Sequence, residues 1–106
     1  MTLYEALSVI LDKPDGHAVF ARKPFSPDSV AQIGPLDSEL STPAHLKNAG
    51  FDYVIDTFSA QEAMEVFGSY APSKEEVSKF LLHYSVHDAF PGWVYQVQGI
   101  FFDDGK

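Results

Sequence analysis

The sequence predicts an α+β protein, in which a small antiparallel or mixed sheet of about three or four strands packs against about three or four helices. Three observations support this fold class. The length of 106 residues suits one hydrophobic core, and hydrophobic residues make up 45% of the chain, enough to fill that core. Helix-capping patterns precede segments of helical periodicity, and strand-like stretches lie on both sides of them. We therefore expect residues 1–106 to form a single compact domain.

Four helical segments are predicted, each beginning at a capping residue. The capping-box pattern, Ser or Thr followed three positions later by Glu, occurs as TLYE from residue 2, SAQE from residue 59 and SKEE from residue 73. The first of these predicts a helix over about residues 3–12. The fourth segment is a short helical turn in 42–50, with Thr42 as its cap and Gly50 at its end. The helix after residue 73 has its inner stripe at Val77, Phe80, Leu81 and Tyr84.

Strands are predicted where aromatic and β-branched residues cluster. The stretches HAVFAR (17–22), FDYVIDTF (51–58) and WVYQVQGIFF (93–102) are of this kind. The stretch VAQIGPL (30–36) is a further candidate, although Gly34 and Pro35 restrict it to an edge or a bulge. Strands on both sides of a helix pair favour a small sheet covered by helices.

The chain contains no cysteine. This excludes a disulfide scaffold, a thiolate zinc site, an iron–sulfur cluster and a cysteine nucleophile. The first residues lack the basic region and cleavage site of a secretory signal, and no apolar stretch approaches the roughly 20 residues that span a bilayer. We expect a cytoplasmic protein that does not contact membranes.

The charge is strongly acidic, with fifteen Asp and Glu residues against seven Lys and Arg and a net charge of −8. Such a surface repels nucleic acids and anionic lipids, whereas a basic protein is attracted to it. The same charge also keeps a small protein soluble, so charge alone does not establish a partner.

Two histidines, His83 and His87, stand four residues apart in the stretch HYSVHDAF, on one flank of the predicted last helix. A zinc ion would need at least one further ligand, and Asp88 projects about 100° away from His87. Tyr84 also occupies the position of the glutamate in a His-Glu-x-x-His motif. We expect no metal and no cofactor, with both imidazoles near the helix C-terminal carbonyls. A small metal-binding protein that uses this pair remains an alternative.

Catalytic constellations are not recognisable in the chain. Asp52 and Asp56, on a regular strand, would have Cα atoms roughly 13 Å apart, which does not suit a glycosidase pair. The sequence has no Gly-x-Ser-x-Gly elbow, no Walker loop and no basic cluster larger than Arg22 with Lys23. We therefore expect a protein that is not an enzyme.

The candidate partner surface lies on the stretch DYVID and the helix that follows it. Alternation along a regular strand puts Asp52, Val54 and Asp56 on one face, which would form an acidic patch with an apolar centre if that face meets solvent. Phe51, Tyr53 and Ile55 would then pack inward. If the face meets a helix instead, each aspartate needs a buried partner and the patch does not exist. Glu62 and Glu65, three residues apart, extend the patch, with Tyr53 nearby.

A second candidate interface is formed by Leu82 and Val86, one turn apart on the side of the last helix opposite its inner stripe. Either this helix is buried on two sides, or the two residues contact a partner or a second copy of the chain. Monomer and homodimer both remain open.

The functional hypothesis that fits these observations is a small acidic binding and neutralising protein. We expect an immunity protein or antitoxin that inhibits a basic bacterial toxin, such as a nuclease, by direct binding. A nucleic-acid mimic that inhibits a DNA-binding enzyme is the alternative. A subunit of a larger assembly is also compatible with the sequence.

Overall fold

The computed structural model describes residues 1–96. Helix α1 spans Leu3–Val9 and continues as a 3₁₀ turn over Ile10–Asp12; helix α2 spans Ala44–Asn48; helix α3 spans Thr57–Met64 and continues as a 3₁₀ turn over Glu65–Phe67; helix α4 spans Lys74–His87. The strands are β1 His17–Ala21, β2 Ala31–Pro35 and β3 Asp52–Asp56. These elements form a single compact α+β domain, as the sequence predicts.

The three strands form an antiparallel sheet of order β2-β1-β3, with β1 in the centre. The apolar stretch HAVF takes the central position because its alternate side chains are buried on both faces of the sheet. Strand β2, which contains Gly34 and Pro35, lies at an edge, where the missing proline N–H costs no ladder hydrogen bond. The prediction of an edge strand there is confirmed.

The main core lies on one face of the sheet, which we call the packed face. Helices α1, α3 and α4 cover it, and the side chains inside are almost entirely aliphatic and aromatic. Phe67 and Phe80 meet edge to face at its centre, with ring centroids 4.8 Å apart. The buried hydroxyl of Ser78 donates to the carbonyl of Tyr4 at 2.8 Å, which joins α4 to α1.

Two of the three predicted capping boxes are present. The Thr2 and Ser73 hydroxyls accept from the N–H groups of Glu5 and Glu76, whose carboxylates accept in return from the cap N–H groups. The prediction of a box from Ser59 is wrong. Helix α3 begins three residues earlier, at Thr57, because β3 runs directly into it and Asp56 takes the N-cap position in an extended conformation. Likewise α2 begins after Pro43, so Thr42 is not its cap.

The last predicted strand, 93–102, is not observed in its first part. Residues 93–96 form a helical turn instead, and Val94 in that turn is buried against the main core. Residues 97–102 lie outside the described residues. Within residues 1–96 the longest helices are too short or too polar to cross a bilayer.

Candidate binding groove

The strand that carries the predicted acidic patch contains a β-bulge at Val54. Val19 pairs with Ile55 and the next residue, Phe20, pairs with Tyr53, so Val54 is the extra residue on β3. The bulge breaks the alternation along DYVID. As a result Val54 and Ile55 are both buried in the main core, and Val54 is only 6% exposed.

Register shows which face each β3 residue occupies, because directly paired residues project to the same side of a sheet. Asp56 pairs with Ala18, and Tyr53 pairs with Phe20, on the face opposite the main core. Asp52 pairs with Ala21, which belongs to the main core. The expectation that Asp52, Val54 and Asp56 share one solvent face is therefore wrong: the bulge puts the two aspartates on opposite faces and buries Val54.

The face that bears Asp56 and Tyr53, which we call the open face, has a small apolar cluster among residues 1–96. It consists of Ala18, Phe20, Leu46 and Phe51, with Leu36 packed at its margin. Helix α2 contributes Leu46 and so covers one part of this face. The inward packing predicted for Phe51 and Ile55 is observed on opposite faces, and Tyr53 remains 43% exposed.

Beside this cluster lies a groove of about 710 Å³, which we call the open-face groove. One wall is the loop 36–42 with Lys47 of α2, and the other is the junction of β3 and α3. The turn before β1 closes one end. The lining residues are Asp15, Gly16, Leu36, Leu40, Ser41, Thr42, Lys47, Tyr53, Asp56 and Phe58.

The loop wall is held by Asp37. Its Oδ1 accepts the N–H groups of Glu39 at 2.9 Å and Ser41 at 2.8 Å, and its backbone exchanges hydrogen bonds with Ser41 and Leu40. The loop is joined to the end of the groove by the Leu36 N–H, which donates to the Gly16 carbonyl at 2.8 Å. This bonding fixes Leu40 in a left-handed conformation, with φ 60°.

Leu40 is unusual for a leucine both in its backbone conformation and in the exposure of its side chain. A residue with a Cβ pays roughly 1–2 kcal/mol for the left-handed region. Its side chain gains little burial in return, since it is 73% exposed. The loop therefore presents an apolar side chain to solvent at a cost in folding free energy.

On the opposite wall, Tyr53 and Asp56 form a tight pair. The Tyr53 hydroxyl donates to Asp56 Oδ1 at 2.6 Å and accepts the Asp56 N–H at 3.1 Å, a contact that the bulge makes possible. Partial burial and the hydrogen bond to Asp56 raise the pKa of Tyr53 to about 12. Partial burial acts to raise the pKa of Asp56 as well, but hydrogen bonds from Ser59 and Tyr53 outweigh it and hold that pKa below its ordinary value. Asp56 is therefore an oriented, ionised carboxylate.

Helix α3 continues this wall. Phe58, Glu62 and Glu65 are spaced by four and then three residues, so they lie along one stripe of the helix and its 3₁₀ extension. All three are exposed, and Phe58 is 54% exposed, whereas Ala60 and Ala63 face the core. The predicted acidic row is thus joined to the open-face groove through Phe58.

The second candidate interface lies on α4, away from this groove. Leu82 is half-buried against the main core and Val86 is 48% exposed. Both residues line a smaller depression of about 320 Å³, shared with Tyr4 and Phe25.

The histidines of α4 line the same depression. The rings of His83 and His87 lie 4.5 Å apart, centroid to centroid. In residues 1–96, however, no group of three or more His, Cys, Asp or Glu side chains is arranged to hold a metal ion.

Of the residues selected from the sequence, Asp56 lines the open-face groove with Tyr53, and Glu62 and Glu65 follow Phe58 along α3 and its 3₁₀ extension, while Asp52 and Val54 do not line the groove. The sequence reasoning missed Asp15, Leu40 and Phe58. The spacing of Phe58 from Glu62 and Glu65 could have placed it on the outer stripe of α3. No local pattern marks Leu40 as exposed.

The chain matches no protein-family model, no curated protein and no solved structure.

Proposed function

We propose that this protein is an immunity protein or antitoxin of the cytoplasm, which inhibits a basic bacterial toxin, such as a nuclease, by binding it. One observation carries the proposal: an apolar-walled, acidic groove lies on the open face of the sheet, built from parts of the chain that add little to the main core. The role is occlusion of the toxin and requires no cofactor and no catalysis.

Charge supports a basic partner. Asp15 and Asp56 line the open-face groove, Asp37 and Glu39 lie on the loop that forms its wall, and Glu62 and Glu65 extend from Phe58. Lys47 is the opposing charge in the lining. A net charge of −8 steers a cationic protein toward the molecule over long range, and acidic groups at the groove then orient it.

Apolar side chains in the same groove provide binding affinity that charged groups alone do not provide. Tight interfaces depend on a few large side chains that are desolvated at the centre, while charged groups at the rim add mainly rate and orientation. Leu40, Tyr53 and Phe58 are large, exposed and close to the acidic groups. This mixture favours a surface that fits one toxin over a nucleic-acid mimic, because a mimic reproduces spaced phosphates and does not need apolar anchors.

The experiment that tests the proposal is affinity capture with matched variants. The purified chain serves as bait in a lysate of its native organism, and bound proteins are eluted with rising salt and identified. One bait is wild type. A second carries Asp15→Asn with Asp56→Asn in the groove, and a third carries Asp28→Asn with Glu75→Gln, two exposed acidic residues elsewhere. The second and third baits have the same net charge.

We expect one stoichiometric basic protein on the wild-type and control baits, and loss or much earlier elution from the groove variant. The captured protein should have a toxic activity that the purified chain abolishes at equimolar amounts. Equal retention by both double variants would show that the groove is not the binding surface. Capture of acidic proteins, or inhibition that salt does not weaken, would contradict the charge basis of the proposal.

A further inference from the structure

The open-face groove has two features that narrow the chemistry of its occupant. One is the carboxylate of Asp56, which the Tyr53 hydroxyl holds in place at 2.6 Å. The other is the pair of exposed apolar side chains Leu40 and Phe58, one on each wall. A ligand that fits both features must combine a cation with apolar surface.

The geometry favours a guanidinium over an ammonium ion. A carboxylate has about four acceptor positions, and hydrogen bonds from Tyr53 and Ser59 already occupy part of those on Asp56, so a cation with several N–H donors can divide its bonds between Asp56 and another carboxylate of the lining. The aromatic side chains of Tyr53 and Phe58 line the same groove. Arginine stacks on aromatic faces, and its weaker hydration lowers the cost of entering a groove. Asp15 adds a second carboxylate to the same lining.

The loop wall indicates an apolar neighbour for that arginine. The left-handed conformation of Leu40 leaves its side chain 73% exposed, and the two backbone N–H groups that donate to the Asp37 carboxylate keep the loop in the shape that requires this conformation. An observed backbone outlier of this kind is a reason to look for a function. A preorganised apolar side chain loses little conformational entropy when it binds. We assign this role to Leu40.

We infer that the open-face groove recognises a segment of the partner in which an arginine lies beside a large aliphatic residue. This inference rests on the proposed function. The arginine binds Asp56 and Asp15 against the Tyr53 ring. The aliphatic residue fits between Leu40 and Phe58. Lys47, in the same lining, opposes the arginine and so limits its affinity.

The test uses the full chain, labelled with ¹⁵N, and short capped peptides in an NMR titration. The first peptide holds one arginine next to one leucine. Three matched peptides replace the arginine by citrulline, which keeps the shape without the charge, the arginine by lysine, or the leucine by serine. We expect the arginine–leucine peptide to shift amide signals in the loop 37–41 and in residues 53–58. The citrulline peptide should bind about tenfold or more weakly, as expected for loss of a charge-assisted hydrogen bond.

Three variants of the protein sharpen the result. Leu40→Asn suits the left-handed conformation better, so it should raise the denaturation midpoint while it weakens binding of the leucine peptide several-fold. Asp56→Asn should reduce the preference for arginine over citrulline, because the carboxylate of Asp15 remains in the lining. Lys47→Gln should strengthen the binding of every cationic peptide. Loss of folding would weaken binding, so it cannot produce this increase in affinity.

Equal binding of the arginine, lysine and citrulline peptides would overturn the inference, as would shifts confined to α4 or no shift in the groove at all. Unchanged affinity for the leucine peptide in the Leu40→Asn variant would show that Leu40 does not contact the aliphatic residue. The proposed function is judged separately, because capture of a basic toxin that depends on Asp15 and Asp56 would stand even if no arginine–leucine peptide bound.

Discussion

The two faces of the three-stranded sheet differ in what covers them. On the packed face, α1, α3 and α4 bury a continuous core in which Phe80 and Phe67 are almost inaccessible. On the open face, a cluster of four buried residues lies under α2, and beside it are the exposed side chains of Leu40, Tyr53 and Phe58. The packed face has the burial expected of a stable domain, and the open face has apolar surface that residues 1–96 leave exposed.

This difference separates the sites of stability from the candidate site of recognition. Hydrophobic stabilisation follows the apolar area removed from water, so the packed face holds most of it. Large exposed side chains at a groove contribute little to folding but much to an interface. Substitutions on the two faces should therefore have opposite profiles: loss of folding on one, and loss of binding with folding retained on the other.

The sharpest contrast is between two phenylalanines. Phe80→Ala on the packed face removes a fully buried ring that contacts Phe67 and Phe90, and we expect it to lower the free energy of unfolding by about 3–5 kcal/mol. The same change at Phe58, which is half-exposed in the open-face groove, should alter that free energy by only about 0.5 kcal/mol. Urea denaturation measures both. Comparable losses at the two positions would remove the distinction between the faces.

A smaller effect is expected at the start of α4, which covers the packed face. Ser73→Ala removes the hydroxyl that accepts the Glu76 N–H at 3.1 Å, and the cost should be about 1 kcal/mol. Ser69→Ala, at an exposed loop position without such a role, is the matched control and should leave the denaturation midpoint unchanged. If both variants were equally stable, the capping box would not contribute to the anchoring of α4.

The Tyr53–Asp56 pair should give a pH-dependent effect. Tyr53→Phe removes one of the donors that hold the pKa of Asp56 below its ordinary value. A carboxyl whose pKa is lowered by folding stabilises the protein above its unfolded pKa of about 4, and that contribution is lost as the pH falls through the lowered value. Wild type should therefore exceed the variant in stability at neutral pH, and the difference should shrink as the solution is acidified below about pH 4.

The same variant isolates one phenol in an absorbance titration. The spectrum of wild type minus Tyr53→Phe should show ionisation near the pKa of about 12 that burial and Asp56 give Tyr53. Ionisation near about pH 10, as for a free phenol, would show that the two side chains do not interact in solution.

The smallest effect on folding is expected from the acidic row of α3. Glu62→Gln with Glu65→Gln removes two exposed charges, and the free energy of unfolding should change by less than about 0.5 kcal/mol. Association with the basic partner should slow by several-fold at low salt, because steering depends on such charges, and dissociation should change little. A stopped-flow series over salt concentration checks both rates. Faster association of the variant would contradict the proposal that these acidic residues attract a basic partner.

The local patterns of the sequence predict most of the helices and strands, but they miss the helical turn at 93–96, the first residues of α2 and α3, and the details of strand pairing. The capping boxes at Thr2 and Ser73, the inner stripe of α4 and the edge position of β2 all depend on neighbouring residues, and the structure confirms them. The failure in strand β3 depends on contacts between distant segments. The bulge at Val54 arises from pairing with β1, and DYVID alternates as a regular strand would.

The same limit explains why only part of the candidate site was predicted. Asp56, Glu62 and Glu65 are near each other in the chain, so charge and spacing suffice to group them. Leu40 and Asp15 reach the open-face groove through the fold alone, by the bond between the Leu36 N–H and the Gly16 carbonyl that joins their segments. The Asp and Ser residues of 37–41 indicate a turn, but no local rule shows that it projects a leucine.

The most direct test of the central claim is amide hydrogen exchange on the wild-type chain, with and without the basic protein that affinity capture identifies. Exchange reports local opening and coverage residue by residue. Binding at the open-face groove predicts slower exchange in residues 36–42 and 53–58, with residues 82–87 of α4 unaffected. Slower exchange confined to 82–87, with the groove unchanged, would contradict the account and assign the interface to the Leu82 and Val86 surface.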